Sequence, residues 1–199
     1  PVDLHAAIAR ASALAAEAAG TDATAVAEAV VDFFADRVRR YLVDRIGVSG
    51  DTAEAVMAAG WGDLPGLVVR ARALEIVRSR DEFRSLGLAF KRVRNITEGQ
   101  PDAPVEHGLL AEPAEVELGA AADAFHAELE RLLPAGRVEE AFAAMGSLAE
   151  ILERFFVEVL VMTEDERIRA NRIALLKTLG RDFLLLADLS RLQIEGGER

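Results

Sequence analysis

The chain has 199 residues, of which 51% are apolar and 29% charged, with a formal net charge of −11 at pH 7. That length and balance belong to a globular chain with one domain or two small ones, not to a disordered one. The absence of cysteine excludes disulfides, thiolate metal sites and a cysteine nucleophile, and 6% aromatics argue against a surface that works mainly by stacking bases on rings.

The first residues, Pro1-Val2-Asp3-Leu4-His5, hold no initiator Met and no basic stretch leading into an apolar one. They are read as a cut inside a longer protein rather than as a signal peptide. An Ala-rich helix over about residues 3–19 is broken by Gly20. Val26, Val30, Phe33, Phe34, Val38, Tyr41, Leu42 and Ile46 then recur at three- and four-residue steps, which predicts one long amphipathic helix ending at Gly47. Ser49-Gly50-Asp51 opens a short helix, with Asp51 and Glu54 spaced as a capping box. Gly60 and Gly62 frame Trp61 in a turn, Asp63 caps the next helix, and Pro65 sits in its first turn, where a missing N–H costs nothing.

A further helix spans about residues 81–96. Residues 98–111, with Gly99, Pro101, Pro104 and Gly108, read as a loop. Pro113 opens a helix that stops near Leu133, before Pro134-Ala135-Gly136. Val138, Phe142, Met145, Leu148, Ile151, Leu152, Phe155, Phe156 and Val159 predict one long helix after it. Thr163-Glu164-Asp165-Glu166 is spaced as a capping box for the last helix, carried by Ile168, Leu175, Leu179, Phe183 and Leu186. No apolar run approaches the ~18 residues of a membrane span, the longest (155–162) being interrupted by Glu158. The fold expected is an all-α helical bundle, with residues 1–20 a helical lead-in, 21–194 the domain and 195–199 a frayed tail.

The charge is unevenly spread. Residues 33–97 carry 12 basic and 8 acidic side chains, whereas residues 98–166 carry 3 and 17. A global charge therefore says little about any one face.

Catalytic constellations are hard to find. His5, His107 and His126 have no ligand spacing and read as surface or loop residues. Residues 60–66 imitate a phosphate loop but lack its Gly-Lys-Ser/Thr ending, and read as a helix–helix turn. Glu164, Asp165 and Glu166 are explained by a helix N-terminus. Arg169, Asn171 and Arg172 lie among apolar residues and read as buried ties between helices, with Glu153 or Glu158 as carboxylate partners.

One stripe stands out. At 100° per residue, Arg80, Arg84, Lys91 and Arg94 fall within about 80° of one another on the helix at 81–96, with Asn95 beside them. Gly87 lies on the same strip and leaves the backbone open between the cations, while Phe83, Leu86, Phe90 and Val93 form a separate apolar strip. The stripe holds no Asp or Glu. It is either ordinary solvated surface or a contact for an RNA backbone, where Arg and Lys neutralise phosphates and Arg or Asn can also read base edges.

Several blocks carry a resemblance. Ala89-Phe90-Lys91-Arg92-Val93-Arg94-Asn95-Ile96, Leu110-Ala111-Glu112-Pro113-Ala114-Glu115, Phe155-Phe156-Val157-Glu158-Val159-Leu160-Val161-Met162, Arg169-Ala170-Asn171-Arg172-Ile173-Ala174-Leu175-Leu176 and Ala187-Asp188-Leu189-Ser190-Arg191-Leu192-Gln193 occur in this order. Together they resemble the C-terminal part of the bacterial glycyl-tRNA synthetase β-subunit family, over roughly residues 30–193. Val157 stands where that family has Asp, and Leu160 where it has Met; both are expected to serve packing.

The resemblance implies a helical DALR-type anticodon-binding domain, of the kind also found in arginyl-tRNA synthetases, which are the nearest rival. It implies that glycine activation with ATP and Mg²⁺ belongs to the α subunit of a cytoplasmic heterotetramer. The β subunit chiefly holds glycine tRNA, and this chain itself is non-catalytic, with no metal and no DNA or membrane partner. On that reading Arg80, Arg84, Lys91 and Arg92 contact phosphates, and Arg94 and Asn95 are candidates for base edges. The competing reading is a protein-interaction module whose working surface is the acidic middle segment, docking a basic partner or another part of the synthetase.

Overall fold

The structure, a computed structural model, describes residues 3–193. Their regular structure is helical: α1 (Leu4–Ala19), α2 (Ala23–Tyr41), α3 (Gly50–Ala58), α4 (Leu64–Val77), α5 (Asp81–Thr97), α6 (Pro113–Leu132), α7 (Val138–Gly146), α8 (Ala149–Glu158) and α9 (Glu166–Leu184), with no strand among the described residues. The fold is all-α, as the periodicity predicts. The tail expected at 195–199 lies outside the described residues.

α1 and α2 pack along each other as a hairpin, with Gly20 at its turn, so a boundary at residue 20 falls inside this hairpin. The pair buries little beyond Ile8, Ser12, Ala16 and Val38, and leaves Leu14, Phe33 and Tyr41 exposed. α2 runs on through a π-helical turn (Leu42–Ile46) and ends at Gly47, whose φ of 83° is one that L side chains rarely adopt. α3 and α4 follow, joined by the turn at 59–63, with Leu64-Pro65-Gly66 already the first turn of α4. Trp61 is buried in that turn, and the ring of His5 meets it edge-on at 4.2 Å. His5 is thus partly buried, not a surface residue as its sequence context suggests.

α5 is the central helix, packed against α7, α8, α9 and a 3-10 turn at Leu189–Arg191. Its apolar strip, Phe83, Leu86, Phe90 and Val93, is buried as expected. Phe90 stacks on Phe183 of α9 at 5.3 Å between ring centroids, and Phe183 in turn meets Phe125 of α6 edge-on at 5.6 Å.

Three local expectations are corrected. The helix read as continuous from Val138 to Val159 is two, broken at Ser147–Leu148. A Cβ on Gly146 would lie 2.9 Å from the Phe83 ring, so only glycine lets α7 approach α5 so closely. The Ser147 hydroxyl donates to the Ala144 carbonyl at 2.7 Å, competing with helical continuation. The last helix is capped by Asp165 rather than Thr163: its carboxylate accepts from the Arg167 and Ile168 amides at 2.9 and 3.0 Å. Ser49, not Asp51, is the N-cap residue of α3, because the Asp51 carboxylate is engaged by Arg78 of α4.

The third block of the C-terminal sequence behaves differently from the packing role expected of it. Val157 and Leu160 are 80% and 71% exposed, while Phe156, Val159 and Val161 face inward. Arg172, read correctly as a buried tie, pairs with Glu115 of α6 instead of Glu153 or Glu158, and also donates to the Leu160 carbonyl at 2.8 Å. Glu115 accepts further bonds from the Ala111 and Glu112 amides, both at 3.0 Å, and so closes the capping box of α6. Burial alone would push the Glu115 carboxyl up; the Arg172 guanidinium and these two amides outweigh it and hold the group below the usual carboxylate range.

After α9 the chain turns back across the bundle. The Asp188 amide donates to the Ala55 carbonyl of α3 at 2.9 Å, the Lys91 ammonium of α5 donates to the Leu192 carbonyl at 3.3 Å, and the Gln193 amide donates to Asp51 at 2.8 Å. Residues 188–193 are thereby strapped between α3 and α5.

Asp51 is the anchor of that strap. Burial by itself raises its carboxyl, but bonds from Arg78, the Gln193 amide and Ser49, with the Arg78 charge, bring it from 3.8 down to about 2. A carboxyl whose pKa is lower folded than unfolded stabilises the fold above its unfolded value and loses that contribution as pH falls through the folded one. Asp51 is therefore expected to contribute about 2 kcal/mol that disappears between about pH 4 and pH 2. Urea unfolding at a series of pH values checks this: Asp51→Asn should flatten the acid limb of the stability curve by about that amount.

Candidate nucleic-acid interface

The strap decides what the α5 stripe becomes. Residues 188–193 cross the helix at its middle, where Gly87 is buried, so the backbone there is covered rather than open. The stripe is thus divided into separate environments. Arg84 lies on one side of the strap, in a cleft shared with Ser49, Asp51, Arg78, Ser79 and Gln193. Lys91, Arg94 and Asn95 lie on the other, in a cleft of about 510 Å³ between α5 and α9.

The remaining two candidates go elsewhere. Arg80, the N-cap residue of α5, lines a depression at the α7–α8 junction with Glu82, Ala143, Ser147 and Glu150. The Arg92 guanidinium sits 4.4 Å above the Phe156 ring of α8, a cation–π contact on a different face of α5. Of the six residues singled out by the periodicity, the structure brings together Lys91, Arg94 and Asn95.

Two further cations join them. Lys177 and Arg181 project from α9 into the same cleft, flanking Gly180, and Thr97, Glu98, Leu184 and Ser190 complete the wall. Gly180 carries no side chain into this space, and its α-carbon faces Val93 of α5. The sequence does contain a signal for the pair: a basic (i, i+4) couple around a glycine, within an otherwise strongly apolar helix. Helical arithmetic on α5 alone has no access to it.

The cations are not equivalent. Lys177 is held by the loop at 98–111, donating to the Gln100 carbonyl and pairing with Asp102 at 2.9 Å. The Lys177 hydrogen bond and charge, with Arg181 behind them, keep the Asp102 carboxyl below its ordinary value. Asn171, one turn and a half earlier on α9, clasps the same loop through both backbone groups of Glu106, at 2.7 and 3.0 Å. Lys91 is spent on the strap. Arg94, Asn95 and Arg181 line the cleft with no side-chain hydrogen bond or ion pair to the described residues, although the Arg181 charge also acts on Asp102.

Chemically, the cleft concentrates four cations and an amide around one carboxylate, Glu98. It suits a polyanion with hydrogen-bonding edges. Within the acidic segment Asp102, Glu106 and Glu115 are paired with Lys177, Arg167 and Arg172 of α9, though only the Glu115–Arg172 pair is buried. No helix among the described residues is long and apolar enough to cross a membrane.

Comparison with known proteins bears on the same stretch. Residues 87–186, from the middle of α5 through α9, match the DALR anticodon binding domain. Most of the chain is similar to proteins named glycine–tRNA ligase beta subunit. That of Anaeromyxobacter dehalogenans (strain 2CP-C) is 39% identical over 173 residues, covering 85% of this chain and 24% of the relative. That of Citrifermentans bemidjiense is 38% identical over 163 residues, covering 82% and 23%, and that of Shewanella sediminis (strain HAW-EB3) 38% over 170 residues, covering 84% and 24%. The chain spans about a quarter of the length of these relatives. With its matched half containing both walls of the cationic cleft, the chain belongs to the family of DALR anticodon binding domains.

Proposed function

We propose that this chain is the tRNA-holding domain of a glycine–tRNA ligase β subunit, and that the α5–α9 cleft receives the anticodon loop of glycine tRNA. The observation that carries the reading is the cleft itself: Arg94, Asn95 and Arg181 line it from two helices, make no side-chain hydrogen bond or ion pair with the described residues, and all three lie within the family match. Phosphate contacts fix register and supply most of the affinity, while a loop base splayed into the cleft can be stacked on an Arg plane and read at its edge. None of the residues lining the cleft is aromatic, so guanidinium planes take the stacking role.

In this reading the phosphate contacts are Arg181 and, through their remaining donor capacity, Lys91 and Lys177, while Arg94 and Asn95 face base edges. Arg84 reaches RNA only across the strap, and Arg80 and Arg92 serve their own faces of α5. Glycine activation is assigned to an α subunit that binds ATP and Mg²⁺, in a cytoplasmic heterotetramer. A wall of four cations and a single carboxylate is a poor donor set for Mg²⁺. The names of the similar proteins favour the glycine enzyme over the arginine one.

The test uses the whole ligase, α and β subunits together. Arg94→Ala combined with Arg181→Ala should weaken binding of glycine tRNA and reduce the slope of log affinity against log salt by about 1, the phosphate contact of Arg181. Unchanged affinity and unchanged slope would remove the cleft from the docking surface. If the acidic middle segment were the working surface instead, charge reversal at Glu128 and Glu139 would be the change that disrupts assembly.

A further inference from the structure

Among the described residues Glu98 is the one carboxylate in the wall of the cleft, and its surroundings make it unusual. It caps the C-terminus of α5, its amide donating to the Arg94 carbonyl at 2.9 Å, which places it one turn beyond Arg94 and Asn95. Four cations line the same cleft, yet the Glu98 carboxylate forms no ion pair and no hydrogen bond with any described residue. A carboxylate at a helix C-terminus faces the unfavourable end of the helix dipole, and in a purely phosphate-binding cleft it also repels the ligand. Its acceptor oxygens are useful there only toward a ligand group that donates.

RNA offers such a group on its bases. The Watson–Crick edge of cytosine carries one donor, the N4 amino group, beside two acceptors, N3 and O2. A carboxylate accepting from N4, flanked by Arg and Asn donors for N3 and O2, is the complement of that edge. Arg94, Asn95 and Glu98 supply this set from a single helical turn and a half. The geometry points to Glu98 as the residue that selects cytosine in the anticodon of the bound tRNA, with Arg94 and Asn95 as its partners. This rests on the anticodon reading above. Since every glycine codon begins with two guanines, the second and third anticodon positions of glycine tRNA are both cytosine, and Glu98 reads one of them.

Uracil separates selection from simple affinity, because it presents an acceptor, O4, where cytosine presents the N4 donor. Opposite Glu98 that exchange sets a carboxylate against a carbonyl. Glutamine at the same position offers either an amide oxygen or an amide nitrogen, and accommodates both bases.

The experiment measures binding of the complete ligase to glycine tRNA and to two variants with uracil at the second or the third anticodon position, for the wild type and E98Q. The wild type is expected to prefer cytosine by about tenfold or more at both positions, and E98Q to bring that ratio close to one at one of them. Because the ratio is taken within each protein, any general weakening cancels. A ratio left intact by E98Q at both positions overturns the role of Glu98 and leaves anticodon reading standing. A wild-type enzyme indifferent to both uracil variants overturns the anticodon reading together with Glu98.

Discussion

Arg172→Ala is expected to destabilise the chain by about 3–5 kcal/mol, a large part of the stability of a domain of this size. The reason is asymmetry. Taking a guanidinium and a carboxylate out of water is costly, and the pair breaks even only while each satisfies the other. Arg172 and Glu115 are both buried, and Glu115 additionally holds the Ala111 and Glu112 amides at the start of α6. Removing the guanidinium leaves a buried carboxylate facing two amides with its charge uncompensated. The double variant Arg172→Met with Glu115→Leu removes both charges. It should recover part of the loss, short of the wild type, because the two amides and the Leu160 carbonyl lose their partners. Urea unfolding of the three proteins at neutral pH checks both statements. A single variant within about 1 kcal/mol of the wild type would show the pair to be solvated rather than buried.

Phe183→Ala is the second large effect, about 3–5 kcal/mol, with a consequence for the cleft. Phe183 is fully buried, stacked on Phe90 and edge-on to Phe125, so its ring joins α9 to both α5 and α6. Truncation opens a cavity beneath the contact that sets the spacing of α5 and α9, and those two helices are the walls on which Arg94 and Arg181 stand. In the complete ligase the variant is expected to bind glycine tRNA more weakly than the wild type even at temperatures where it remains folded. Phe142→Ala offers the contrast. It is also fully buried but touches Phe83 near the α7 end of α5, at 6.3 Å between centroids. It should cost comparable stability while leaving tRNA affinity intact. Circular dichroism melts paired with tRNA binding distinguish the two.

The strap explains why charge on a helix is a poor guide to a surface by itself. Helical arithmetic places Arg80, Arg84, Lys91 and Arg94 on one strip of α5; the backbone is helical through Arg84, Lys91 and Arg94, but Arg80 is the extended N-cap residue ahead of the helix. Yet a strip 20 Å long is not a face. Residues 188–193 cross it, Lys91 is drawn toward the Leu192 carbonyl, and the two ends open into different clefts. Val157 and Leu160 show a similar gap: the family resemblance assigned them a packing role, yet at the end of α8 they stand exposed.

The amino-acid sequence by itself determined the helical class, the start of α6 at Pro113, the end of the α2 stretch at Gly47 and the buried strip of α5. All of these rest on interactions within a few residues of one another, or on a 3.6-residue period that a single helix displays in full. The blocks at 89–96, 169–176 and 187–193 also carried the family. Tertiary structure alone decided the partner of Arg172, which is 57 residues away in Glu115, and the union of Arg94 and Asn95 with Lys177 and Arg181. It alone brought α7 against α5 so closely that glycine is required at 146. Such pairings depend on which helices become neighbours, and neighbours are chosen by the packing of whole apolar faces, a property no local stretch of chain contains.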